Sequence, residues 1–309
     1  MEAFVTPPLL RAGDKIAIVA PARKIDRALI DRSIEILQEW GLQVALSANL
    51  YSSRHSYLSG SDDERLHDLQ AAINDQSVSA ILCGRGGYGS SRIVDRLHLS
   101  GLAEAPKWLV GFSDITSLHL RFLAERVQCI HGTMPVLFSR AESVLSVESL
   151  RKLLFNGVAS MNAHPSAFNR TGEGIAMVVG GNLSLIVDSL GTQTEISTDN
   201  KILVIEEIDE YYYKVDRMMR QLKRAGKLSR LAGLVVGHMT DLKNGELTFA
   251  SSVEEIISGA VAEYNYPVAF NFPTGHENPN LAWVQGGTAA LQVTGGGSSL
   301  KFRAVRPGS

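Results

Sequence analysis

Trp108-Leu109-Val110-Gly111-Phe112-Ser113-Asp114-Ile115-Thr116 is an apolar run, a sharp turn carrying one serine, and the opening of a helix. Such a strand–turn–helix pushes the serine out of the backbone, and the helix start aims unpaired N–H groups at the same spot. The unit recurs on its N-terminal side. Apolar strands are expected at 16–20, 43–46, 78–83 and 107–110. Helices are expected at 26–40, from Ser61 to about 74, from the glycine-rich segment to about 97, and from near Asp114. Ile30, Ile34 and Leu37 carry the helical period of the first, which stops at Gly41; Asp62, Asp63 and Glu64 suit the N-terminal dipole of the second. Strands alternating with helices predict an α/β fold with a parallel sheet covered on both faces.

The pattern changes after about residue 140. A linking helix is expected at 143–156, and the polar stretch 162–171, with Pro165, is a domain boundary. Beyond it come a strand at 175–179, a turn at Gly180-Gly181, a helix to Leu190 and a strand at 201–205. A helix with apolar Val215, Met218, Met219 and Leu222 follows, then strands at 231–236, 289–293 and 300–305. The expected domains are 1–160, carrying the serine turn, and a smaller mixed α/β domain at 172–309.

The 309 residues are 45% hydrophobic and 20% charged, an ordinary soluble globular composition. A net charge of −2 without a Lys/Arg block argues against a nucleic-acid surface. No apolar run approaches the ~18 residues of a membrane span. The first eleven residues hold no apolar signal core, so the expected compartment is the cytoplasm. Cys83 and Cys129 lie in apolar surroundings, which favours buried free thiols over a disulfide. No metal-ligand spacing occurs, and neither metal nor cofactor is expected.

Ser113 is a candidate nucleophile, although a serine there also serves as a helix N-cap, and the second glycine of a hydrolase elbow is absent. Gly84, Gly86 and Gly89 satisfy a dinucleotide-type glycine pattern between strand and helix. The same glycines would let backbone N–H groups form an oxyanion hole, or would make a structural turn. Glu206 and Glu207 end an apolar strand, so their side chains diverge and only one can enter a given site; the alternative is a pair of solvated strand-end carboxylates. His276 lies on a tight loop after Gly275, and His131 is a weaker strand-end candidate. His55, His67, His98, His164 and His238 have no companion motif, and His119 sits inside a helix.

Together these segments resemble the LD-carboxypeptidase family of serine peptidases, which includes muramoyltetrapeptide carboxypeptidases and microcin C immunity peptidases. The resemblance rests on Leu10-Arg11-Ala12-Gly13-Asp14-Lys15-Ile16 with Ala20-Pro21, and on Tyr57-Leu58-Ser59-Gly60-Ser61-Asp62-Asp63-Glu64-Arg65. Arg85 to Gly89, Gly111 to Thr116, His131-Gly132, Gly180-Gly181-Asn182-Leu183, Glu206 with Asp216-Arg217-Met218, and Gly275-His276 follow in the family's order. Thr133 stands where proline is common, and Trp283-Val284-Gln285-Gly286 replaces a more usual Leu-Pro-x-Gly.

The resemblance implies a Rossmann-like N-terminal domain, a smaller C-terminal domain and a homodimer. It implies Ser113 as nucleophile, His276 as base and Glu206 as orienting acid. The backbone N–H groups of Gly87 and Asp114 are expected to form the oxyanion hole, and Arg85 to meet a terminal carboxylate. The implied substrate is murein tetrapeptide, cut between its L-centred diamino acid and terminal D-Ala during cell-wall recycling. Two alternatives remain. One is an amidase acting on peptidyl-nucleotide antibiotics of the microcin C type, for which Trp283 is either an adenine-stacking aromatic or ordinary core. The other is a non-catalytic nucleotide- or ligand-binding protein built on Gly84, Gly86 and Gly89.

Overall fold

The computed structural model describes residues 4–305. Residues 1–3 and 306–309, which belong to the outer ends of the expected domains and to the segment read for a signal core, lie outside the described residues. Strands β1 (Lys15–Val19), β2 (Gln43–Leu46), β3 (Val78–Cys83), β4 (Trp108–Gly111) and β5 (Cys129–His131) come first. Among them lie helices α1 (Arg27–Glu39), α2 (Asp62–Asn74) and α3 (Thr116–Ala124), and α4 (Val144–Asn156) follows. The rest of the chain forms β6 (Ser160–Ala163), β7 (Gly172–Asn182), α5 (Leu183–Asp188), β8 (Ile202–Ile208) and α6 (Tyr212–Arg224). It continues through β9 (Gly233–Thr240), α7 (Val253–Ala260), β10 (Val268–Ala269), β11 (Trp283–Gln285), β12 (Thr288–Thr294) and β13 (Gly297–Phe302). No helix among the described residues is long and apolar enough to cross a membrane.

Two compact units result. One is built from the chain up to Ala159 with Leu281–Gly286 and residues 304–305; the other from Ser160–Asn280 and Gly287–Arg303. This division differs from a single cut within 162–171. β6 lies at that place, and its Ser160–Ala163 backbone pairs with β13. The segment Leu281–Gly286, expected in the C-terminal domain, belongs to the first unit because β11 pairs antiparallel with β5 there.

The sheet of the first unit runs β2-β1-β3-β4-β5, all parallel, with β11 antiparallel on its edge. Asp26 caps α1 by accepting from the Ala28 N–H at 2.9 Å, and Ser61 and Glu64 form a reciprocal capping box on α2. Ile81 and Leu109 on the sheet and Leu118 and Phe122 on α3 are all fully buried in one core. In this doubly wound order, ligands bind outside the carboxyl ends of the strands. The glycine-rich loop leaves the carboxyl end of β3, and Ser113 that of β4.

No α-helix follows β3. Two single 3-10 turns, Ser90–Arg92 and Val94–Arg96, stand where the sequence predicts a helix to about 97. The Ser90 N–H is taken by the Asp114 carboxylate at 2.9 Å, and the β-branched pair Ile93 and Val94 favours helix less. The dinucleotide pattern at Gly84, Gly86 and Gly89 therefore lacks the helix N-terminus that would hold a pyrophosphate.

In the second unit the order is β10-β9-β8-β7-β12-β13-β6. β10, β9, β8 and β7 are parallel; β12, β13 and β6 extend the sheet antiparallel. β7 runs straight through Gly180-Gly181 instead of turning there, because its backbone pairs with Val204 and Ile205 of β8. α6 buries Val215, Met219 and Leu222 along one stripe. α7 was not expected from periodicity, although Ser252 and Glu255 form a capping box at its start.

Candidate active site

β4 ends at Gly111, Phe112 remains extended, and Ser113 enters the left-handed region at φ +63°. A non-glycine residue in that region is strained, which is the signature of a nucleophile turn. Ser113 is half-buried, whereas Phe112 beneath it is buried and packs against the ring of His131 at 5.8 Å. His131 is in turn stacked on Trp283 at 5.0 Å. Both rings are fully buried. Trp283 therefore belongs to the core under the turn and offers no free face to an adenine, which decides between the two readings of that residue.

The glycine-rich loop lies directly against the Ser113 turn. A Cβ on Gly86 would come within 3.3 Å of Ser113 Cβ and 3.5 Å of the Asp114 N. Gly87 and Gly89 follow with φ of +108° and +134°. Two buried charges brace this loop. Arg65, 1% exposed, donates to the carbonyls of Pro21 and Gly89, the latter at 2.8 Å, and pairs with Asp62. Asp114, 2% exposed, accepts from the Ser90 N–H. Burial pushes the Asp114 carboxyl upward against the hydrogen bonds from Ser90 and Gly89 and the charge of Arg65. Asp114 follows Ser113 in this turn, and Gly87 follows Gly86, the loop residue that lies against it. Arg85, half-buried, opens the same loop.

In the second unit, Glu206 and His276 are brought together. His276 Nδ1 lies 2.6 Å from Glu206 Oε2, with the carboxylate fully buried and the imidazole side chain 12% exposed. A bulge aims Glu206. Ile205 pairs with Val236, but Glu207 pairs with Met239, so Gly237 and His238 together oppose Glu206. Gly275 (φ +123°) lets the loop close down: a Cβ there would stand 3.0 Å from both Cβ and Oε2 of Glu206. Burial disfavours the charged imidazole, but the charge and hydrogen bond of Glu206, with help from Glu207, outweigh it and raise the His276 pKa. The tautomer in which Nδ1–H donates to Glu206 leaves Nε2 with its lone pair.

Two further residues support this pair without any sequence motif to mark them. His238 donates its backbone N–H to the Thr274 carbonyl at 2.8 Å, and its Nδ1 accepts from the Glu277 N–H at 3.1 Å. Burial lowers its pKa, so the ring stays neutral and able to accept. Glu207 is not a solvated carboxylate: it is 2% exposed. It accepts from Asn182 Nδ2 (2.9 Å), the Ser184 N–H (2.8 Å), Ser184 Oγ (2.6 Å) and the Ile208 N–H (2.9 Å). Burial, opposed by these bonds and reinforced by Glu206, raises its pKa. Its face of β8 is covered by the start of α5, so divergence from Glu206 takes it into a second buried site rather than into water.

The remaining candidates are structural or remote. His119 is fully buried in α3, its pKa pushed down to about 3 by burial. Cys83 and Cys129 are free and buried.

The chain matches two family models: the LD-carboxypeptidase N-terminal domain over residues 16–132 and the LD-carboxypeptidase C-terminal domain over residues 175–291. It is 35% identical over 292 residues to a Bacillus subtilis (strain 168) protein named "Probable murein peptide carboxypeptidase", covering 93% of this chain and 91% of the relative. It is 30% identical over 292 residues to the murein tetrapeptide carboxypeptidase of Pseudomonas aeruginosa, covering 90% and 93%. Among solved structures, muramoyltetrapeptide carboxypeptidase from Oxalobacter formigenes superposes with a TM-score of 0.85 at 26% identity, covering 93% of this chain and 98% of that one. The microcin C7 self-immunity protein MccF shares the fold, with a TM-score of 0.84 at 19% identity over 99% of this chain and 100% of that one.

Proposed function

This chain belongs to the LD-carboxypeptidase family, and we propose that it is a serine carboxypeptidase that releases the terminal D-Ala of murein tetrapeptide by cutting its bond to an L-centred diamino acid. The observation that carries the reading is the 2.6 Å Glu206–His276 bond, in a chain similar over nine-tenths of its length to a murein tetrapeptide carboxypeptidase. In this reading His276 Nε2 takes the Ser113 hydroxyl proton as Oγ attacks the scissile carbonyl. The Gly87 and Asp114 N–H groups receive the developing oxyanion. His276 then gives its proton to the leaving D-Ala nitrogen, and water repeats the sequence on the acyl-enzyme. Glu206 holds the tautomer and stabilises the imidazolium. The family resemblance supports a homodimer acting in the cytoplasm on peptides recovered from the cell wall.

The test is a mass-spectrometric assay on murein tetrapeptide beside its L-Ala epimer and a peptidyl-adenylate. D-Ala is released from the tetrapeptide, and the L-Ala epimer is nearly untouched, because one stereocentre sets where the scissile carbonyl lies relative to Ser113. Equal rates on both epimers would leave a general peptidase. Cleavage of the peptidyl-adenylate alone would replace the murein reading with the nucleotide-amidase one.

The pH profile follows from His276. A base must be neutral to act, and the His276 pKa is raised above the ordinary 6.5. The acid limb of kcat/KM therefore falls at a pH above that value, and activity climbs as pH rises through it. Replacing Glu206 by Gln removes the larger influences that raise it and leaves burial opposed only by Glu207, so the limb moves to lower pH. A limb at the same pH in both proteins would disconnect the carboxylate from the base.

A further inference from the structure

Three arginines converge on the glycine-rich loop from three separate segments of the first unit. Arg85 lies within the loop, one residue before Gly86. Arg23, just past β1, donates its backbone N–H to the Gly86 carbonyl at 3.4 Å. A Cβ on Gly87 would stand 3.1 Å from Arg23 Cβ and 3.5 Å from the Tyr57 hydroxyl. The Arg23 guanidinium lies over the Tyr57 ring at 5.1 Å. Arg140 follows the turn Pro135–Leu137, which is fixed to the loop by the Val136 N–H on the Gly84 carbonyl at 3.2 Å. Arg23 and Arg140 are exposed and Arg85 is half-buried. Among the described residues no carboxylate pairs with any of the three. Arg85 feels the consequence: burial first, then the like charges of Arg23 and Arg140, lower its pKa, with Tyr57 opposing.

The nearby cations Arg65, Arg92 and Arg96 all have acidic partners, Asp62 or Asp63. Mutually repelling arginines without acidic partners, on and around the loop that lies against a strained serine, suit an anion. A peptide that ends one residue after the scissile bond carries such an anion, its terminal carboxylate, within a few bonds of the reacting carbonyl.

Resting on the serine-carboxypeptidase reading, we propose that Arg85, Arg23 and Arg140 form the subsite that binds the C-terminal carboxylate of the peptide, and so restrict the enzyme to removing a terminal residue. Arg85 is the central contact, because it is the least exposed and sits on the loop that touches the Ser113 turn. Arg23 and Arg140 supply the flanking field. The subsite acts on specificity; it takes no part in proton transfer.

The experiment compares murein tetrapeptide with the same peptide ending in D-alaninamide. Wild type prefers the free acid, and in Arg85→Ala the acid-to-amide ratio of kcat/KM collapses about 10- to 100-fold, the weight of a hydrogen bond to a charged group. The loss lies mainly in KM. Arg23→Ala and Arg140→Ala shift the ratio in the same direction by less. Equal treatment of acid and amide by wild type, or an equal loss on both in Arg85→Ala, overturns the proposal. Labelling of Ser113 by a fluorophosphonate in each variant shows that the nucleophile still works and the protein is folded.

A titration followed by NMR, with D-alanine against D-alaninamide, reads the subsite without turnover. D-alanine alone perturbs wild type, and the effect is weakened in Arg85→Ala. If wild type releases nothing from the tetrapeptide, the functional reading falls while this titration still judges the subsite. Identical responses to acid and amide would end it. If Arg85→Ala instead loses cleavage of a peptidyl-adenylate and leaves the acid preference intact, the anion is a phosphoryl group and the carboxylate assignment is wrong.

Discussion

On the proposed serine-carboxypeptidase mechanism, Ser113→Ala is expected to lower kcat on murein tetrapeptide by about 10⁶, the usual cost of losing a triad nucleophile. The residue sits at φ +63°, half-buried, at the carboxyl end of a buried parallel strand, with the Gly86 backbone in contact on one side and Phe112 locked in the core beneath. Alanine keeps the same backbone requirement, so the turn and its N–H groups persist and only the hydroxyl is lost. The variant therefore folds with nearly native stability while losing fluorophosphonate labelling. Adding His276→Ala to Ser113→Ala costs little more, because members of a catalytic unit are not additive. A folded Ser113→Ala protein that retained more than about a tenth of the wild-type rate would transfer the nucleophile to another residue. Ser113→Gly provides the complementary measurement. It removes the left-handed strain and should raise the melting temperature as activity vanishes.

The strand–turn–helix at 108–116 was legible because its signals are local. An apolar run, a turn residue and a helix start each follow from neighbouring side chains. The same holds for α1 and α2, whose caps lie within four residues. Readings failed where a distant group decides the outcome. The segment after Gly89 carries only the weak local signal of Ile93 and Val94 against a helix, while Asp114, 24 residues away, takes the Ser90 N–H. Gly180-Gly181 has turn composition, but β8 captures it as strand. β11 belongs to the first unit only because the β5 edge is there to accept it. At the site, the chemistry-bearing side chains of Glu206 and His276 were nameable by motif and resemblance. The residues that hold them were not. His238 lacks a motif, and Glu207 looks like any strand-end acid until α5 is placed against it.

Glu206→Gln and Glu207→Gln are expected to part in opposite directions on two measurements. Glu206 is fully buried, and its Oε1 has no hydrogen-bond partner among the described residues, so the side-chain hydrogen bond it makes through Oε2 goes to His276. Gln at that place keeps the shape, removes a buried charge that is expensive to hold, and can favour the wrong imidazole tautomer. kcat should fall by about 10³–10⁴, as when the acid of a Ser-His-Asp triad becomes its amide. The melting temperature should stay level or rise, since a neutral amide costs less to bury than an underpaired carboxylate. Glu207 is the reverse case. Its two oxygens accept four hydrogen bonds, from Asn182, from both groups of Ser184, and from Ile208. Gln turns one acceptor into a donor facing donors, at a cost of about 1–3 kcal/mol for each group left unsatisfied. Glu207→Gln should therefore lower the melting temperature clearly, and cut kcat far less than Glu206→Gln because His276 keeps its partner. Thermal unfolding and kcat measured on both variants decide the matter. A catalytic defect in Glu207→Gln as deep as that in Glu206→Gln would mean that the charge behind the pair matters as much as the hydrogen bond within it. A severe loss of stability in Glu206→Gln would show that its buried charge holds the loop at 274–277 in place.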